Sequence, residues 1–97
     1  MEILQGLGEI IRRSRKNRGL SQEKLAELAG VHRTYIGAVE RGEQNICFIN
    51  LCKISVSLGL SLPDLLMPLN MVWEDFIRGL ESHSSLLKGK GDASKDL

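Results

Sequence analysis

The stretch QEKLAELAGVHRTYIGAVERG, residues 22–42, decides the fold of this 97-residue chain. Apolar residues recur at helical spacing on both sides of Gly30, and glycine most easily adopts the positive φ of a tight turn. Ala26 is small where two helices joined by so short a turn must cross closely. The pattern predicts two short helices, at about 22–29 and 32–41. The residues predicted to fill the interior between them are Leu25, Val31, Ile36 and Val39.

The second of these helices concentrates polar side chains in its first turn, an arrangement typical of a helix that enters the major groove of DNA. Arg33 can bond guanine O6 and N7 bidentately, and Thr34 can meet a polar base edge or a thymine methyl group. Gln22 begins the preceding helix, where the partial positive charge of a helix N-terminus favours a DNA phosphate. Gly37 and Ala38 are predicted to face the same DNA, their small size allowing close approach.

Apolar periodicity predicts four further helices around this pair. Three of them cover about residues 3–18, 48–58 and 70–81. The other is a short helix that begins after Ser61 and is stopped by Pro68. In the helix at about 48–58, the apolar residues at helical spacing are Phe48, Leu51, Ile54 and Leu58. The last carries an apolar stripe of Leu69, Val72, Trp73, Phe76, Ile77 and Leu80.

The predicted fold class is all-α, with a helix-turn-helix DNA-binding domain at residues 1–68. The additional amphipathic helix occupies 69–81, and the Ser-, Gly- and Lys-rich remainder, 82–97, is predicted to be a flexible tail. With 42% hydrophobic residues and few aromatics, the composition suits one small helical domain.

Charge is distributed unevenly along the chain. Residues 12–41 hold eight basic and three acidic side chains, whereas 46–97 hold five basic and six acidic ones. This asymmetry favours a polyanion as the partner of the first half. The run RRSRKNR by itself is typical of a solvated helix face.

The sequence contains no recognised catalytic motif, so we do not expect an enzyme, and no cofactor or metal site is predicted. Cys47 and Cys52 lie far from His32 and His83 in sequence, without metal-ligand spacing, and are expected to be small buried apolar residues or bystanders in a reducing, bacterial cytoplasmic setting. The longest apolar run is too short for a membrane span.

The segment VHRTYIGAVERG, followed by QNI, resembles the lambda-repressor-like (XRE) helix-turn-helix family over about residues 7–67. Within that family it is most similar to the controller proteins of restriction–modification systems. The resemblance implies a five-helix domain, here with an additional helix, and a homodimer that binds double-stranded operator DNA and both activates and represses transcription. RNA polymerase is a further implied partner, with Glu23 and Glu27 as conceivable contacts.

The resemblance also implies roles for individual residues. Arg33 and Thr34 stand where the family places base readers. Tyr35 corresponds to a tyrosine near the DNA backbone, although its ring could equally pack on the turn. Gln44 and Asn45 resemble a second phosphate clamp. The remaining candidate for a backbone contact is His32, for which a plain surface role is the alternative.

Two further sets of residues take roles from the resemblance. Arg15 and Glu40 occupy the places of an ion pair that ties the first helix to the recognition helix in phage repressors. The family dimerises through its fourth and fifth helices. The dimer candidates, some of which must instead fill the monomer core, are Ile49, Leu62, Leu65, Leu66, Met67 and Trp73.

Two other functions remain open at this point. The chain could be an antitoxin whose segment after Pro68 masks a toxin, or a phage-type repressor without an activating role. The additional helix is expected either to pack on the partner subunit or to bind another protein.

Overall fold

A computed structural model describes residues 2–83, which contain α-helices, one 3-10 turn and no strand. The elements are α1 (Glu2–Asn17), α2 (Gln22–Ala29), α3 (Arg33–Glu40), α4 (Phe48–Ser57), α5 (Leu62–Leu66), the 3-10 turn (Met67–Leu69) and α6 (Asn70–His83). The predicted all-α fold class is confirmed, and the first four helices lie where the sequence predicts them to within about one residue at each end.

Helix ends occur where the sequence supplies a cap. The Ser21 hydroxyl accepts a hydrogen bond from the backbone N–H of Lys24 at 2.9 Å, and the Ser61 hydroxyl accepts one from Asp64 at 3.2 Å. Gly30 ends α2 in the left-handed conformation, with φ of 70°. Because the caps satisfy backbone groups that a helix leaves unpaired, they fix where α2 and α5 begin and where α2 stops.

One apolar core lies among α1 to α5. Its fully buried residues are Ile11, Leu25, Ile36, Val39, Ile54, Leu58 and Leu65. Val31, predicted to be interior, is half-buried at the margin of this core.

Phe48 shares the helical spacing of Leu51, Ile54 and Leu58 but does not face the core, and its side chain is 64% exposed. At 3.6 residues per turn, Phe48 lies about a quarter turn from the mean direction of Leu51, Ile54 and Leu58, which do face the core.

The predicted end of the fifth helix before Pro68 is confirmed. The fifth helix ends at Leu66, and Pro68 lies within the 3-10 turn that leads directly into α6. Proline is tolerated there because the first turn of a helix needs no N–H donor from it. Since α6 runs to His83, the first two residues of the predicted tail are helical, and the rest of that tail lies outside the described residues.

The additional helix packs on α1 where Gly6 provides room. A Cβ built on Gly6 would lie 2.9 Å from Val72 Cγ2. The rings of Trp73 and Phe76 are 5.6 Å apart on α6. Part of the apolar stripe of α6 is therefore covered by the chain's own first helix, while Trp73 remains 42% exposed.

A second glycine of α1 brings that helix against the end of α3. A Cβ on Gly8 would lie 2.5 Å from the carbonyl oxygens of both Val39 and Glu40. Only hydrogen fits at this crossing, so α1 and the last turn of α3 meet backbone to backbone.

Within residues 2–83 no single helix is long and apolar enough to cross a membrane. By length and composition, only the segments Phe48–Ser57 and Leu62–Ser82 taken as a pair pass such a test, and they are bent by 96°.

The Gly8 crossing yields a stability prediction. Gly8→Ala should destabilise the protein by about 1–3 kcal/mol, because the added methyl group overlaps rigid backbone oxygens rather than a flexible side chain. The matched control is Gly79→Ala in α6, where nothing lies within 4 Å of the built Cβ. That control should be neutral or stabilising by up to about 1 kcal/mol. Urea unfolding measures both, and equal midpoints for the two variants would contradict the close crossing.

Candidate nucleic-acid interface

Two short helices and a tight turn, α2 and α3, form the central unit. After Gly30 reverses the chain, the N–H of Val31 donates to the carbonyl of Ala26 at 3.0 Å. Ala26 is 3% exposed and Ala29 5% exposed, so small side chains line the contact between the helices. The turn and these alanines set the angle at which α3 leaves α2.

The first turn of α3 faces solvent. Arg33 and Thr34 are both exposed, and with Gln22, Gly37 and Arg41 they line a shallow cavity of about 200 Å³. The structure therefore brings together the two predicted base readers and one predicted backbone contact. Arg41 is an addition that the sequence reasoning missed, although it lies four residues after Gly37 and eight after Arg33, a spacing that keeps all three on one face of the helix.

Gly37 lies beside side chains of the protein itself. The nearest side-chain atom to a Cβ built on Gly37 is Arg41 Nη1, at 3.1 Å, followed by Gln22 Oε1 at 3.7 Å. The gap in the helix surface is thus used by the chain's own arginine, whose guanidinium folds back along α3.

A buried ion pair joins α3 to α1 on the side of α3 away from the cavity. Arg15 Nε donates to Glu40 Oε2 at 2.7 Å and Arg15 Nη2 donates to Glu40 Oε1 at 3.0 Å. The same guanidinium donates to the Leu20 carbonyl at 2.9 Å. Each of the two charged residues is 8% exposed, and the hydrogen bond to Glu40 raises the pKa of Arg15 above its usual value. The structure thus contains the pair that the resemblance implies.

Gln22 connects that pair to the exposed cavity. Its Nε2 donates to Glu40 Oε1 at 3.0 Å, so the amide is held in one orientation at the start of α2. The Gln22 side chain is thus hydrogen-bonded to Glu40 and also forms part of the cavity wall. The position of this predicted phosphate-binding residue therefore depends on Glu40.

Tyr35 lies at the edge of the core. Its half-buried ring packs against the core, and its hydroxyl accepts a hydrogen bond from Asn50 Nδ2 at 3.2 Å. The ring is therefore packed, against the core, and a tyrosine hydroxyl that accepts from Asn50 still has its own proton to donate. Asn50 was not anticipated from the sequence.

The remaining predicted backbone contacts lie apart from the cavity. His32 is the exposed N-cap of α3 and makes no capping hydrogen bond through its side chain. Gln44 and Asn45 are exposed in the loop between α3 and α4. Cys47 and Cys52 are free thiols, the first exposed and the second half-buried, and the described residues contain no cluster of metal ligands.

Arg41 and Glu43 form an exposed ion pair at the end of α3. Arg41 Nε donates to Glu43 Oε2 at 2.9 Å, and Arg41 Nη2 donates to Glu43 Oε1 at 3.1 Å. These hydrogen bonds raise the pKa of the Arg41 guanidinium and lower the pKa of the Glu43 carboxyl, so both groups carry charge at neutral pH.

The structure apportions the dimer candidates between core and surface. Leu65, at 1% exposure, belongs to the monomer core and is not available for a dimer surface, and Leu62 and Leu66 are half-buried against that core. Ile49 and Met67 are 63% and 61% exposed. Among residues 2–83, the large exposed apolar residues outside those candidates are Leu28, Phe48, Val56 and Met71.

Comparison with known proteins agrees with this geometry. The helix-turn-helix family model HTH_3 matches residues 11–65. The Control protein C.SmaI of Serratia marcescens is 47% identical over 66 residues, which cover 68% of this chain and 79% of that protein.

Two solved structures share the fold. The restriction-modification controller protein C.AhdI from Aeromonas hydrophila superposes with a TM-score of 0.62 at 38% identity, covering 66% of this chain and 96% of that one. SinR, described as the master regulator for biofilm formation and solved in complex with DNA, superposes with a TM-score of 0.59 at 39% identity, covering 62% of this chain and 97% of that one.

The buried pair yields a second stability prediction. Glu40→Ala should cost about 3–5 kcal/mol, because it leaves the Arg15 guanidinium buried without its carboxylate. Glu9→Ala, which removes an exposed pair with Arg13, is the control and should cost less than about 1 kcal/mol. Thermal unfolding at pH 7 compares the two. An equal, small loss in both variants would show that the Arg15–Glu40 pair is dispensable.

Proposed function

The chain belongs to the helix-turn-helix family HTH_3, and we therefore propose that it is a sequence-specific DNA-binding regulator of transcription, of the controller type found in restriction–modification systems. The observation that carries the proposal is the exposed first turn of α3. Arg33 and Thr34 point outward from a helix whose opposite face is fixed by the core and by Glu40.

That arrangement has the features of direct readout. The N-terminal residues of a recognition helix reach the base edges, whereas the preceding helix crosses the backbone. Arg33 and Thr34 supply the base-reading groups, and Gln22, at the start of α2, supplies a backbone contact. The basic excess of residues 12–41 adds the sequence-independent attraction that brings the protein to DNA.

The likeness to C.SmaI and C.AhdI supports the restriction–modification setting. In that setting the protein binds operator DNA near restriction and modification genes, activating at one occupancy and repressing at a higher one. Activation requires a contact with RNA polymerase. The exposed Glu23 and Glu27 on α2 are our candidates for this contact.

The size of the reading element supports a homodimer. An eight-residue helix is about 12 Å long and reads only a few base pairs. Two copies about 34 Å apart on a pseudo-palindrome would lengthen the site that is read. The outer face of α4 offers an interface, because Phe48, Ile49 and Val56 are 64%, 63% and 77% exposed. The exposed Trp73 of α6 would extend this interface on the partner subunit.

The DNA-binding proposal is tested by footprinting the DNA upstream of the chain's own gene with the wild type and Arg33→Ala. The wild type should protect a symmetric site. Arg33→Ala should lose about 1–3 kcal/mol of preference for that site while retaining salt-sensitive binding to random DNA.

Arg78→Ala, which removes an exposed arginine of α6, is the matched control and should protect the same site as the wild type. An upstream region left unprotected at every protein concentration would refute autoregulation. Equal site preference in the Arg33 variant and the wild type would remove Arg33 as a reader.

The dimer proposal predicts that Ile49→Asp weakens self-association by about tenfold or more, because a charge would be buried in an apolar contact. Sedimentation equilibrium measures the effect. Met71→Asp, a change of the same chemistry at an 82% exposed site on α6, is the control and should leave the dimer intact. A monomeric wild type, or equal effects of both changes, would contradict an interface on α4.

A further inference from the structure

Arg41 lies at the end of α3 in a defined orientation. Its Nε and Nη2 are held by the two carboxylate oxygens of Glu43, at 2.9 and 3.1 Å. Its Nη1 lies over Gly37, 3.1 Å from where a Cβ would stand, and within residues 2–83 it donates no hydrogen bond. The guanidinium thus forms a wall of the cavity that Arg33, Thr34 and Gln22 share, with one nitrogen left over.

The position of this guanidinium relative to DNA follows from the length of α3. The helix is about as long as the major groove is wide, close to 12 Å. When the first turn lies deep in the groove, the last turn emerges beside a strand of the backbone. A group at the C-cap therefore meets phosphates rather than base edges, and a guanidinium is well suited to bind phosphate through a fork of two nitrogens.

In the free protein Glu43 occupies the pair of guanidinium nitrogens formed by Nε and Nη2 and places a negative charge beside the rest of the group. The two side chains are each 58% exposed, so Glu43 can swing away from Arg41 into solvent. While the pair is closed, the positive charge of Arg41 is neutralised by a carboxylate that would itself be repelled by a phosphate.

We propose that Arg41 binds a backbone phosphate of the operator and that Glu43 competes with the DNA for its guanidinium, an inference that rests on the proposed DNA-binding function. Gly37 is the glycine that leaves the guanidinium room to lie along α3. Arg41 and Glu43 then set the affinity for DNA but not the preference for one DNA sequence, because phosphate contacts position a protein and carry no base information.

The test compares four proteins by fluorescence anisotropy on two duplexes, one containing the upstream site and one of random sequence, at several salt concentrations. The proteins are the wild type, Arg41→Ala, Glu43→Gln and the double variant. Arg41→Ala should weaken binding to both duplexes on the order of tenfold, the size of one charge-assisted hydrogen bond. It should also reduce the salt slope by about one.

Glu43→Gln keeps the shape of the side chain and removes its charge, so it should tighten binding to both duplexes by roughly threefold or more at low salt. That gain should be clearly larger with Arg41 present than in the Arg41→Ala background. An equal gain in both backgrounds would mean general repulsion of DNA by Glu43 and would overturn the competition. Wild-type affinity in Arg41→Ala would overturn the phosphate contact.

Failure of the parent proposal gives a different result. If the wild type binds neither duplex, the chain is not a DNA-binding regulator, whatever the variants do. If the wild type binds and only the upstream duplex is affected by Arg41→Ala, Arg41 reads bases and the phosphate assignment is wrong. Circular dichroism melting of all four proteins checks that they remain folded, as expected for exposed positions.

Discussion

The buried ion pair between Arg15 and Glu40 is the interaction on which the arrangement of the helices depends. A buried carboxylate requires a partner, and here the partner comes from α1, which also reaches the carbonyl of Leu20 just before α2. Gln22 completes the group by donating to Glu40. Hydrogen bonds therefore join α1, α2 and α3 at one point behind the exposed face of α3. Each of these bonds uses a different donor nitrogen, so the geometry is specific.

The sequence predicts most of the fold because its signals are local. Ser21 and Gly30 are caps that can be recognised without tertiary information, and they place α2 and the turn correctly. Pro68 marks the end of α5 correctly but does not show that another helix follows at once, because proline also suits the first turn of a helix and the packing of α6 on α1 lies outside the local sequence. Phe48 shows the same limit, because its place on the helix surface leaves its exposure to be decided by the neighbours of α4.

The candidate site is predictable where position along the helix determines exposure, as for Arg33 and Thr34. Arg41 escapes prediction because its role depends on where a long side chain folds back, and that depends on the absent Cβ of Gly37 and on the carboxylate of Glu43. Asn50 escapes for a related reason, since its bond to the Tyr35 hydroxyl joins residues from two helices.

Trp73 has a practical consequence that follows from its place in the structure. It is the single tryptophan of the chain, it is partly exposed on α6, and its ring lies beside Phe76. Its fluorescence thus originates outside the α2–α3 unit. Changes in emission would report on the surroundings of α6 rather than directly on contacts made by α3, giving the molecule a built-in optical probe for events on its appended helix.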